Sequence, residues 1–324
     1  MTSEAGLQNN LISDKEEQQM KSVRKLEKLA FGLVAAVLLL APAPGFGVEK
    51  KLVIGSKAFT EQRILGNILM AILEKNGFSC EDKTGLGGTI VVREALVNKQ
   101  IDAYVEYTGT GLLALLKHEK GITDPRDCYE TVKREDLEKN AMVWFPYMDF
   151  NNTYCLMMRE ADAQKLGIKT LSDLSKYVKA HKDAVTLGLN GEFYARADGY
   201  RPIEEAYGFE FPDDKIVKMD PGLLYNALRD GQVQVALGFS TDGRIKGFKL
   251  VVLEDDKHFF PVYNASVVVR KETADKFPEL EKIFSELSSK LDTASMTDLN
   301  YQVDVEHKPL KDVARDWLKQ NGLL

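Results

Sequence analysis

The sequence predicts an α/β protein of two doubly wound lobes. Strand and helix patterns alternate over residues 51–105, stop, and resume from residue 153. Two aromatic–proline passages, WFPYMDF at 144–150 and FFPVY at 259–263, bracket the second set. Alternation of this kind marks a mostly parallel sheet covered by helices. The two passages are expected to be crossings between lobes. On that reading 48–147 with 264–324 forms lobe 1, and 148–263 forms lobe 2.

Ahead of the lobes, Lys21, Arg24, Lys25 and Lys28 precede an apolar run over 29–41, followed by Pro42, Pro44, Gly45 and Gly47. A basic segment, a short apolar core and then helix breakers is the layout of a secretory signal peptide. The run is shorter than the about 20 residues that cross a bilayer. Residues 1–47 are therefore expected to be an N-terminal extension and signal peptide, with Met20 as the start and a mature chain from about Val48. The expected location is periplasmic, with an uncleaved, membrane-anchored form as the alternative. No cysteine stands at the expected cleavage point, which argues against a lipid anchor.

Within lobe 1, residues 51–55 (KLVIG) read as a strand closed by Gly55 and Ser56. Thr60-Glu61-Gln62 opens a helix with Ile64, Leu65, Ile68, Leu69, Ile72 and Leu73 at i, i+3, i+4 spacing, and Asn76-Gly77 ends it. A turn over 85–89 leads to a second helix whose buried side is expected to hold Val91, Val92, Ala95 and Leu96. Residues 101–105 form the next strand. In lobe 2, residues 153–158, 185–189 and 233–237 read as strands, with helices over 172–180 and 222–229. Residues 249–253 approach the return crossing, and 265–269 form another apolar strand. The remainder is helical over 280–291, 296–303 and 310–320.

At 324 residues, 44% hydrophobic and 28% charged, the chain is expected to be a soluble globular protein. Its net charge of -6 argues against a nucleic-acid partner, since no basic stripe can displace phosphate counterions. Four scattered histidines and no CxxC give no metal site, and no cofactor is expected. Cys80, Cys128 and Cys155 allow at most one disulfide; Cys80–Cys128 is the pair to expect if any forms, with Cys155 buried in its strand. Gly87-Gly88-Thr89 lacks the lysine of a phosphate loop and reads as a turn and helix cap. No nucleophile elbow, H-E-x-x-H or Ser/His/Asp order points to catalysis.

Six stretches in order carry a family resemblance: GSKAFTEQ (55–62), GGT (87–89), YVEYTGT (104–110), NNTY (151–154), FSTDGRI (239–245) and LEDDKHFFPVY (253–263). Together they resemble the osmoprotectant-binding proteins of ABC transporters, from residue 51 to the end. The resemblance implies a type II periplasmic-binding-protein fold and a non-catalytic, monomeric receptor. Such a receptor captures glycine betaine, choline, carnitine or a similar solute and delivers it to permease subunits. Some relatives take ergothioneine. A receptor for another small solute such as an amino acid, or an enzyme on the same fold, is the alternative.

The resemblance also implies a cage for the cationic head built from Tyr107, Tyr154, Phe239 and Tyr263. Phe239 stands where the family usually has tyrosine, keeping the π face and losing a hydroxyl. Taken singly, each ring reads more readily as strand or core packing than as a ligand contact. A quaternary ammonium has no N–H to donate, so aromatic faces suit it, at about 2 kcal/mol or more per desolvated contact. For the other end of the ligand, Gln62 near the first helix N-terminus, the Thr110 hydroxyl and the Asn152 amide are the candidate donors. Lys57 reads as solvated, Thr60 or Ser56 as the helix cap, and residues 254–256 as a solvated turn. Arg196 with Asp198, and Asp242 with Arg244, read as structural ion pairs.

Overall fold

The structure, a computed structural model, describes Met20, residues 50–209 and residues 211–324. The expected export segment and cleavage point lie outside the described residues. The first strand, β1 (Lys51–Lys57), enters helix α1 (Thr60–Lys75), whose apolar positions are buried. Next comes β2 (Ser79–Gly87), a strand that the sequence reading passed over. Its polar run SCEDKTGLG shows no apolar alternation because β2 is an edge strand with both faces partly wet.

Helix α2 (Thr89–Val97) buries Val92, Ala95 and Leu96, but Val91 is 54% exposed, against expectation. The buried stripe is centred on Thr89, Val92, Arg93 and Leu96, since Arg93 Nη1 donates to the buried Asp136 at 3.0 Å and turns that side inward. After β3 (Ala103–Tyr107) comes helix α3 (Pro125–Asn140), another element without an apolar signature. Its local signals are sound: Pro125 occupies the first turn and the Asp124 side chain accepts the Asp127 N–H at 2.9 Å. Strand β4 (Met142–Trp144) completes this run.

The chain then passes into a second sheet. It holds β5 (Tyr154–Arg159), β6 (Leu187–Leu189), β7 (Ile216–Lys218), β8 (Val235–Phe239) and β9 (Leu250–Val252), with helix α4 (Pro221–Arg229) between β7 and β8. Strand β10 (Ala265–Arg270) returns to the first sheet. Helices α5 (Thr293–Asp304) and α6 (Leu310–Gln320) pack on α1. The first sheet has the order β2-β1-β3-β10-β4 and the second β7-β6-β8-β5-β9. In each, parallel strands meet one antiparallel strand that follows or precedes a crossing: β10 against β3, and β5 against β8.

Side chains alternate across the first sheet as a pleat demands. Leu52, Ile54, Ala103 and Val105 join the larger core, whereas Tyr104, Trp144 and Val268 pack with α2 and α3 in a smaller one. This division decides the cysteines. Cys80 packs against the first core and Cys128 lies in the second, so the expected pair stands in separate cores and does not bridge. Cys80, Cys128 and Cys155 are all free thiols. The turn over 254–256 is also more than solvated: Asp255 accepts the N–H groups of Phe259 and Phe260 at 3.0 and 2.9 Å and so shapes the return crossing.

Candidate functional site

Strand direction places the site. The parallel strands β1, β2, β3, β6, β7 and β8 end at Lys57, Gly87, Tyr107, Leu189, Lys218 and Phe239. Lys57, Gly87, Tyr107 and Phe239, with Asn190 and Met219 one residue past β6 and β7, line one cavity of about 530 Å³. Because β5 and β10 run the other way, their starts lie at the same edge, bringing Tyr154 and Tyr263 to it. In register, Tyr154 pairs with Phe239 and Ala265 with Tyr107. Ligands of open α/β sheets bind outside the carboxyl ends of the strands for the same reason.

All four rings singled out in the sequence line this cavity. Tyr154 and Phe239 have centroids 5.2 Å apart, and Tyr263 stands edge-on to Tyr154 at 5.5 Å and 89°. Tyr107 joins through Phe59, which the sequence reading missed: Phe59 stacks on Phe239 at 5.0 Å and lies 6.4 Å from Tyr107. Phe59 thus spans from the start of α1 to the end of β8. Its signal was available in the GSKAFTEQ stretch but pointed equally to packing. Burial holds the Tyr107 and Tyr263 phenols well above their usual range, so both remain neutral rings.

The polar groups depart further from expectation. Lys57 is buried rather than solvated, because its Nζ pairs with the fully buried Glu106 at 2.5 Å and lies 5.3 Å from the Tyr107 centroid. Neither Thr60 nor Ser56 caps α1: Thr60 Oγ1 donates to Asp304 at 2.7 Å, and Ser56 Oγ accepts the Gly85 N–H at 2.9 Å. Gln62 does not line the cavity. The first turn of α1 points it into the interior, where Oε1 accepts the Lys57 N–H at 3.3 Å. Thr110 is buried and does line the cavity. Asn152 lines it as well, with one of its two amide N–H groups given to Glu61 at 2.7 Å.

Helices α1, α2 and α4 all begin at the cavity wall, through Thr60, Thr89 and Pro221, and none has a side-chain cap. Three positive helix ends favour an anionic group there. At α2 the Glu192 carboxylate already accepts the Thr89 N–H, at 3.3 Å from the other sheet. Burial alone would raise its carboxyl, but Lys57 and Thr89 hold it below the usual range. Arg244 also lines the cavity, committed to Asp242 at 2.9 Å and to Asp304 at 3.2 Å. Beneath the rings lies Glu61, again unforeseen. It is buried and accepts from Tyr107, Asn152, Thr241 and Asn300. Burial raises its carboxyl, and those four donors oppose the rise.

A family model describing the substrate-binding domain of the ABC-type glycine betaine transport system matches residues 50–320. The chain belongs to this family. Among relatives of this substrate-binding chain, a glycine-betaine-binding protein of Pseudomonas aeruginosa is 41% identical over 87% of it and 91% of the relative. An ergothioneine transport permease/ergothioneine binding protein of Helicobacter pylori is 38% identical over 95% of the chain, which spans about half (54%) of that relative. A crystal structure of a glycine betaine/carnitine/choline ABC transporter protein shares the fold with a TM-score of 0.68. It is 33% identical, covering 84% of this chain and 99% of that one. The fold is the type II binding-protein architecture. The family is one of extracytoplasmic substrate-binding components of transporters rather than enzymes.

Proposed function

We propose that the chain captures a quaternary-ammonium solute for an ABC importer, with Tyr107, Tyr154, Phe239 and Tyr263 around the trimethylammonium group. One observation carries this reading: four aromatic rings remote in sequence, two from each sheet's edge, line a single cavity. Their faces suit a cation that cannot donate a hydrogen bond. The helix N-termini and Thr110 supply the opposite end, fitting a carboxylate or hydroxyl. The relatives' ligands, glycine betaine, carnitine, choline and ergothioneine, share the trimethylammonium group.

Capture follows from the two-lobe division, residues 48–147 with 264–324 against 148–263. Tyr107 belongs to the first lobe, Tyr154 and Phe239 to the second, and Tyr263 is the last residue of the second lobe just ahead of β10, so the cage is complete only when the cleft closes. A monomeric periplasmic receptor of this kind would present the closed form to permease subunits. Calorimetry with glycine betaine, choline, carnitine and ergothioneine tests the reading. At least one should bind, and its uncharged tert-butyl counterpart should not. Equal binding of the uncharged counterpart, or no binding by the panel, overturns it.

A further inference from the structure

Glu61 is the second residue of α1, is 3% exposed, and does not line the main cavity. Its two oxygens take four hydrogen bonds from four separate parts of the chain. Oε1 accepts the Tyr107 hydroxyl at 2.6 Å and Asn152 Nδ2 at 2.7 Å. Oε2 accepts the Thr241 hydroxyl at 2.5 Å and Asn300 Nδ2 at 2.9 Å.

These donors are the mounts of the aromatic rings. Tyr107 is itself one ring, ending β3. Asn152 stands two residues before Tyr154, and its backbone N–H donates to the Tyr263 carbonyl at 3.1 Å. Thr241 stands two residues after Phe239. Asn300, from α5, also donates to the Thr241 carbonyl at 3.0 Å and so braces that loop.

We infer that Glu61 is a positioning residue for ligand capture, the shared acceptor that aligns the four rings and ties the loop after β8 to the first sheet. The inference rests on the quaternary-ammonium reading above. Only an ionised carboxylate offers acceptors to all four donors. A glutamine places an NH₂ against two of them, and an aspartate is one methylene short of the set. Two consequences follow. The Thr241 bond crosses between the sheets, so it forms with closure and adds to ligand affinity. The Tyr107 hydroxyl, donating to a carboxylate, enriches its ring's negative face, which strengthens attraction for a cation and not for a neutral group of equal shape.

Calorimetry on Glu61→Gln and Asn300→Ala tests this with two matched pairs: glycine betaine against tert-butylacetate, and choline against tert-butylethanol. The preference for the trimethylammonium member over its partner with an uncharged tert-butyl head is the quantity to read, because a merely structural role would weaken both alike. Glu61→Gln should lower that preference at least tenfold. Asn300→Ala, whose side chain is outside the main cavity, removes the donor to Glu61 and to the Thr241 carbonyl and should lower affinity about threefold to tenfold while remaining folded by circular dichroism. If the wild type binds none of glycine betaine, choline, carnitine and ergothioneine, the ligand reading falls and takes this one with it; if it binds carnitine or ergothioneine alone, that ligand and its tert-butyl counterpart form the matched pair. If the wild type binds and both variants keep its affinity and its preference, Glu61 has no positioning role and the ligand reading stands.

Discussion

At residue scale the rings differ in what their hydroxyls do. Removing a ring should cost on the order of 1–2 kcal/mol, or roughly five- to thirtyfold in Kd, for Tyr154→Ala or Tyr263→Ala. Tyr→Phe at the same two positions should be milder, since the face carries the attraction. Tyr107→Phe should be harsher than either, because it removes the 2.6 Å bond to the buried Glu61 and leaves that carboxylate one donor short. Calorimetry on the three Phe variants ranks them. A Tyr107→Phe variant that binds as Tyr154→Phe does would deny the hydroxyl its part. Effects of neighbouring rings need not add, since Tyr154 touches both Phe239 and Tyr263.

Among elements, the turn after β3 and the return crossing are in close approach at Gly109. A Cβ there would meet the Val262 carbonyl oxygen at 2.6 Å and the Tyr263 ring at 2.8 Å. Backbone on one side and a ring on the other leave no cheap relief, so Gly109→Ala should destabilise by about 1–3 kcal/mol. It should also weaken ligand binding, because the displaced residue is Tyr263. Urea unfolding and calorimetry read the two effects, and unchanged binding would detach the crossing from the cage. Helix α3 carries a pH-dependent contact. Glu135 accepts from Lys139 Nζ at 2.7 Å and lies 3.0 Å from His118 Nε2, and these partners lower its carboxyl from 4.5 to about 2. A depressed folded value means stability present above 4.5 and lost as pH falls toward 2. Glu135→Gln should therefore flatten the acid limb of stability between those limits, measured by circular dichroism.

For the whole molecule, ligand should stabilise the folded chain as RT ln(1 + [L]/Kd), about 2.7 kcal/mol at a hundredfold excess over Kd. A thermal-shift panel would register that as a melting point several degrees higher for true ligands alone. Export is checked by the intact mass of periplasmic protein: a chain beginning near Val48 is expected, and a mass retaining 29–41 would favour the anchored form. The same spectrum should show three free thiols. Burial pushes Cys80 up to about 12 and Cys128 up to about 11, and raises Cys155 further, so thiol reagents should act slowly until the protein unfolds.

Residues whose environment follows from their own neighbours were readable in one dimension. The apolar period of α1, the short strands around Ile54 and Leu237, and the two proline-marked passages all report locally whether a segment is buried and where it turns. The four rings came from the family resemblance, not from local pattern: singly each reads as strand packing, and only the sheet topology sets the ends of β3 and β8 beside the starts of β5 and β10. Polar residues escaped this logic. Lys57 is buried because Glu106, 49 residues away, offers it a carboxylate. Glu61 is buried because Asn300, 239 residues away, and Thr241, 180 away, donate to it. Strand β2 and helix α3 hid for a related reason, one lying at a wet sheet edge and the other covered by charge. Burial of an apolar group depends on its amount of surface, which periodicity records. A polar group is buried only where specific partners meet it, and those partners are brought together by the tertiary fold.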